Sequence, residues 1–145
     1  CRSQGRRPGS RTIKSVFEAC DEDIRSKLNI PDGEKAVVIE RIRHADDVPV
    51  SLETVWFPPS FAALLNEDLN SHSLYDTLRE KHGLWFTHSS KTIELVYASF
   101  EVAHYLGVAS RYPLISIKSE MIDNKGEMSC ISHQLIVGDK LRFTV

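Results

Sequence analysis

The sequence predicts an α+β domain: an antiparallel β-sheet with helices packed over it. Two observations carry that prediction. Every neighbouring pair of strand-like segments can be joined as a hairpin, with none of the strand–helix–strand rhythm that builds a parallel sheet. A weak internal repeat also recurs at a spacing of 78 residues, with Asp21 matching Ser99, Leu28-Asn29-Ile30 matching Leu106-Gly107-Val108, and Ile39 matching Ile117. Each unit reads as strand, short helix, turn and long hairpin, so two units give a pseudo-symmetric sheet.

The elements follow in order. Arg11–Glu18 has the β-branched and aromatic content of a strand. Asp21 is an N-cap, Glu22 and Asp23 fill a first helical turn, and Ile24 and Leu28 share one face. Pro31, Asp32 and Gly33 then form a turn. Lys35–His44 and Val48–Phe57 are strands of a hairpin that turns at Asp46 and Asp47. Pro58 and Pro59 stop the second strand, and Ser60–Leu69 makes one or two short helical turns. Ser73 caps a helix running to about Lys81, with Asp76 in capping-box position and Gly83 ending it. Trp85–Val96 is a long strand. Ser99 caps a helix that runs to Leu106 and closes on Gly107. Leu114–Met121 and Met128–Val137 form a second hairpin around Asp123, Asn124 and Gly126, and Leu141–Val145 is a short terminal strand.

Composition bounds the function. A chain of 145 residues with 41% hydrophobic and 26% charged content is an ordinary globular domain. The formal net charge of −2 lacks the basic excess of a stand-alone nucleic-acid binder. The basic residues Arg2, Arg6, Arg7 and Arg11 sit among Gly5, Pro8 and Gly9, so residues 1–10 read as a linker and 11–145 as the domain. Because the sequence starts at Cys1, we expect a preceding segment. Three cysteines without framework spacing point to a reducing cytoplasm, and no apolar run reaches the ~20 residues of a membrane span. Six histidines show no metal spacing, and HExxH, CxxC, Walker A, GxGxxG and GxSxG motifs are all missing. No cofactor and no enzyme chemistry are implied.

The first long hairpin is the most informative segment. Val48, Val50, Leu52 and Trp56 are apolar and alternate, and placing Ile42 on the face of Leu52 sets an even register. Arg41, Arg43, Ser51 and Glu53 then fall together on the opposite face. Two guanidiniums offer bidentate donors to an anion, and a carboxylate accepts from hydroxyls. The same four residues also suit a solvated face with a cross-strand ion pair. Ser73 stands at a helix start, where free N–H groups favour anions, and serves equally as a plain cap; Tyr75 is beside it.

The stretch VVIERIRHADDVPVSLETVWFP at Val37–Pro58 resembles the core hairpin of the UTRA domain, the ligand-sensing module of GntR-family transcription regulators of the HutC subfamily. RPGSRTIKSVFEA resembles the family's linker and first strand, LNIPDGEKAVVIERIR the approach to its hairpin, LYDTLREKHGLWFTHSSKTIE its central helix and strand, and LGVASRYPLISIKSEMIDNKGE with GDKLRF its closing section. The resemblance covers essentially the whole chain. It implies a chorismate lyase-like fold and a homodimer. It further implies a small-molecule effector, often a phosphosugar or related anion, and operator DNA bound through an upstream winged helix-turn-helix rather than through this domain.

It also implies site residues. Arg41 and Arg43 would grip the anion, Glu53 would meet sugar hydroxyls, and Ser73 with Tyr75 would help hold the phosphate. Where the family often carries a central-strand arginine this chain has His88, and where it often has a late glutamate and tyrosine this chain has Cys130 and Ile136, which predicts a less polar far wall. On this reading Arg41→Ala abolishes ligand-induced stabilisation and leaves the fold intact. Two other readings remain at this point: an enzyme of the chorismate lyase type using Arg41 and Glu53 on an aromatic carboxylate, and a dimerisation module with a degenerate pocket.

Overall fold

A computed structural model describes residues 7–140, and the terminal strand expected at Leu141–Val145 lies outside them. The strands are β1 (Pro8–Glu18), β2 (Ala36–Ala45), β3 (Val48–Phe57), β4 (Phe86–Tyr97), β5 (Pro113–Asp123) and β6 (Met128–Ile136), and the helices are α1 (Glu22–Lys27), α2 (Leu74–His82) and α3 (Phe100–Leu106). All six strands form one antiparallel sheet in the order β1-β2-β3-β6-β5-β4. The expected α+β class and elements are present. The first strand starts at Pro8 rather than Arg11, and the helical turns after Pro58 are a 3-10 segment, Pro59–Asn66.

The 78-residue repeat is built into this order. β1-β2-β3 with α1 and β4-β5-β6 with α3 are two copies of one unit, joined edge to edge by β3 and β6. The helix ends match closely. Asp21 and Ser99 cap their helices by accepting from Ile24 N and Val102 N. Asn29 and Gly107 both turn left-handed, at φ 55° and 65°. Ile30 N then donates to Arg25 O as Val108 N does to Ala103 O, the helix-closing bonds at equivalent places. α1 therefore ends at Asn29, before the Pro31–Gly33 turn expected to stop it.

Hairpin connection does not account for every neighbour. β3 and β6 pair from Ser51↔Ile136 to Trp56↔Ile131, a seam between residues far apart in sequence, and the β1–β2 and β4–β5 connections pass through α1 and α3. The seam is driven by burial: Val55 and Phe57 on one face and Ile131 on the other leave water together.

The sheet has two covered faces. One carries α1 and α3: Leu28, Ile30, Val38 and Ile131 pack under the first, and Ile42, Leu52, Ala103, Leu106 and Leu114 under the second. The other carries the 3-10 segment and α2, over Val37, Ile39, Val55, Phe57, Leu64, Leu74, Leu78 and Cys130. Phe61 stacks on Phe57 with ring centroids 5.1 Å apart. Among the described residues no helix is long and apolar enough to cross a membrane.

Candidate functional site

The β2–β3 hairpin has the register expected from its apolar alternation: Ile42 faces Leu52, Arg41 faces Glu53 and Arg43 faces Ser51. Asp46 and Asp47, at φ 51° and 67°, make the two-residue turn. One detail differs. The pairing shifts between Arg43 and His44, leaving Val50 as an extra residue in β3. Alternation is reset there, so Val48 comes opposite Ala45 and is exposed, instead of sharing the Leu52 face.

Arg41 and Glu53 lie on the α2 face, where the hydrophobic core gives way to polar side chains. Both are buried, Arg41 at 2% and Glu53 at 1% exposure. The Arg41 guanidinium is ion-paired and hydrogen-bonded to Glu53 Oε1. Arg43 stands 3.9 Å from the same oxygen and is half-exposed, and Gln134 Nε2 donates to Glu53 Oε2 at 3.1 Å. A buried carboxylate survives only with such partners. Arg41 is thus part of the packed interior, so its truncation is expected to cost stability as well as ligand contacts.

Three buried polar atoms on this face lack a partner: Arg41 Nε, Thr12 Oγ1 and Ser10 Oγ. They are neighbours by register, because Thr12 pairs with Arg41 and Ser10 with Arg43. Buried donors and hydroxyls are almost always hydrogen-bonded, so these three are free to bond a further group. Thr12 N meanwhile donates to Asn70 Oδ1, tying the edge strand to the segment before α2.

A cavity of about 420 Å³ lies between α2 and the second half of the sheet, and Gln134, which donates to Glu53, is in its wall. Tyr75, Asp76 and Arg79 of α2 line one side, Leu84, Trp85 and Phe86 close an end, and Lys91, Ser119, Met121, Ser132 and Gln134 form the sheet wall. Arg79 lies over the Trp85 ring at 5.0 Å. Tyr75 sets its ring edge-on to Phe86, and its hydroxyl reaches only the Met121 thioether, at 4.0 Å. Burial raises the Tyr75 hydroxyl pKa, so the group stays a neutral donor. Lys91 Nζ donates to Ser119 Oγ at 2.9 Å.

The other expected site residues are dispersed. Ser73 caps α2, and its Oγ accepts from Asp76 N at 3.3 Å. His88 is exposed, shares a hydrogen bond with the Thr87 hydroxyl and lies outside the cavity wall. Cys130 is fully buried in the core under α2, where burial pushes its thiol pKa up. Ile136 is buried opposite Ser51, at the Arg43 end. The sheet wall of the cavity is made by Lys91, Ser119, Met121, Ser132 and Gln134, and neither Cys130 nor Ile136, the residues expected to make the far wall less polar, is in it. A signal for this wall existed: β6 alternates, and Ser132 and Gln134 fall on the face of Glu53 once β3 and β6 are paired. Among the described residues no cluster of His, Cys, Asp and Glu could hold a metal ion.

Comparison with known proteins fits this architecture. The profile of the UTRA domain matches residues 3–142. The HTH-type transcriptional repressor NagR of Bacillus subtilis is 26% identical over 142 residues, which are 98% of this chain and 58% of NagR. The HTH-type transcriptional repressor PhnF of Mycolicibacterium smegmatis is 26% identical over 144 residues, 99% of this chain and 59% of PhnF. The chain thus spans a little under six-tenths of these relatives. The crystal structure of the effector domain of PhnF superposes with a TM-score of 0.88 at 26% identity, covering 99% of this chain and 88% of that one. The fold, the repeat and the profile agree: the chain belongs to the UTRA domain family, the effector domain of GntR-family transcription regulators.

Proposed function

We propose that this chain is the effector-sensing and dimerising part of a transcription regulator, that it performs no catalysis, and that its effector is a small anionic metabolite held beside Arg41 and Arg43. The observation that carries the reading is the cluster of unpartnered Arg41 Nε, Thr12 Oγ1 and Ser10 Oγ, linked through Glu53 to Gln134 in the wall of a 420 Å³ cavity. An oxyanion is the acceptor that such donors lack, and guanidinium binds it bidentately. Glu53, already held by Arg41 and Gln134, aims the guanidinium. The relatives are transcription repressors, so occupancy would shift a dimer between operator-competent and operator-incompetent arrangements of DNA-binding domains outside this chain.

Association of two copies also has a candidate surface. Ile93, Leu95 and Tyr97 alternate along the cavity-side face of edge strand β4 and are 66%, 65% and 60% exposed. Three large apolar side chains in line exceed ordinary surface scatter, and a two-fold interface needs one self-complementary patch. Lys91 precedes them on the same face, so ligand and partner would act on one strand.

Thermal unfolding with and without orthophosphate or sugar phosphates tests the anion site. Stabilisation that saturates, is absent with the neutral sugars and is lost in Arg43→Gln supports the reading. Arg43 is the right variant because it is half-exposed and its loss leaves the Arg41–Glu53 pair in place. Equal stabilisation of Arg43→Gln and the unaltered protein refutes it.

A further inference from the structure

A polar band crosses the α2 face of the sheet between two cationic ends. It runs from Arg43 and Arg41 on β2 through Glu53 on β3 and Gln134 and Ser132 on β6 to Ser119 on β5 and Lys91 on β4. Charge along it is lopsided in a specific way. At the first end two guanidiniums face the single carboxylate of Glu53. At the second, among the described residues, Lys91 has no carboxylate within ion-pair distance and spends its ammonium on the Ser119 hydroxyl. On the opposite side α2 contributes one acid, Asp76, and one base, Arg79, so the lining there carries no net charge.

Resting on the effector-site reading above, we propose that the ligand is a two-headed anion: one acidic group at Arg41 and Arg43, a second at Lys91, and a hydroxylated chain between them over Gln134 and Ser132. The register sets its length. Arg41 reaches Glu53 on β3 and Lys91 reaches Ser119 on β5, which lie two strands apart and two residues apart along the strands. At ~4.8 Å per strand and ~3.4 Å per residue, the two anchor points are roughly 12 Å apart. A compact inorganic ion cannot bridge that span. An extended chain of about six carbons with an acid at each end can, and Glu53, Gln134 and the two serines are acceptors and donors for its hydroxyls.

Two probes isolate the second charge. 6-Phosphogluconate and sorbitol 6-phosphate share a six-carbon polyol phosphate and differ only in a carboxylate at the far end. Calorimetric titration of the unaltered chain should favour 6-phosphogluconate by about tenfold or more, the worth of one charge-assisted contact. In Lys91→Met, a change at an exposed position, the ratio should fall to within about twofold. Equal affinity for both probes in the unaltered chain, or a preference that persists in Lys91→Met, overturns the inference and leaves Lys91 as an edge-strand charge. Orthophosphate separates this from the underlying reading. Arg43-dependent orthophosphate binding without discrimination between the probes, or without binding of either, sinks only the two-headed ligand; no Arg43-dependent binding of any of the three sinks the anion site itself.

Discussion

Replacing Arg41 with Ala removes the principal counter-charge of a carboxylate that has almost no contact with water. Glu53 would keep the hydrogen bond from Gln134 at 3.1 Å and the more distant Arg43 at 3.9 Å. Removing one partner of a buried ion pair costs ~3–5 kcal/mol. The two remaining contacts, and relief of the unpartnered Arg41 Nε, put this case at the low end, about 3 kcal/mol. For a domain of this size that is a fall in Tm of roughly 10 °C. The double variant Arg41→Met/Glu53→Leu removes both charges and fills the space with apolar atoms, an exchange that is often neutral or stabilising by ~1–4 kcal/mol. Gln134 then loses an acceptor but is only half-buried and can turn to water. Urea and thermal unfolding of the unaltered chain, Arg41→Ala, Arg41→Met, Glu53→Leu and the double variant close the cycle. The reasoning fails if Arg41→Ala lies within about 1 kcal/mol of the unaltered chain, or if the double is as unstable as either single.

Three further outcomes are expected. Gly107→Ala should lose about 1 kcal/mol, because its φ of 65° strains any residue with a Cβ although nothing lies within 4 Å of that atom; denaturant midpoints measure it. Leu95→Asp should abolish self-association in light scattering while changing the stability of the single chain by less than about 0.5 kcal/mol, since the side chain is 65% exposed. His133 has its pKa lowered, chiefly by burial and then by Lys118, so the unfolded chain takes up its proton at higher pH than the folded one. Stability should therefore decline as pH falls through the ordinary histidine range near ~6.5, and His133→Gln should flatten that part of the pH profile.

The local grammar of this chain is plain in its residues. Caps at Asp21, Ser73 and Ser99, stops at Gly83 and Gly107, and the Asp46-Asp47 turn each depend on a few neighbours, and each stands where its chemistry places it. The Arg41–Glu53 register was also legible, because apolar alternation decides which face of a hairpin is buried. The bulge at Val50 was not: one extra residue inverts the faces beyond it, and Val48 reads as core although it is exposed. The β3–β6 seam was hidden for a different reason. It joins hairpins far apart in sequence, and no local signal specifies which edges meet. The resemblance alone puts Cys130 in the wall of the site, whereas it fills core under α2; the seam instead brings Ser132 and Gln134 to the face of Glu53.

The internal repeat bears on where the cavity beside α2 can form. A sheet made of two copies of one unit offers the same shelf twice, once over each half. The connection from Pro58 to Trp85, which has no counterpart in the repeat, covers only one face of the sheet. It packs on Val37, Ile39, Val55 and Phe57 of the first half and on Met121 and Cys130 of the second, and it lines the cavity with Tyr75, Asp76 and Arg79. The domain thus breaks its own symmetry with a single inserted strap. The cavity lined by Tyr75, Asp76 and Arg79 belongs to the strap and not to the repeat.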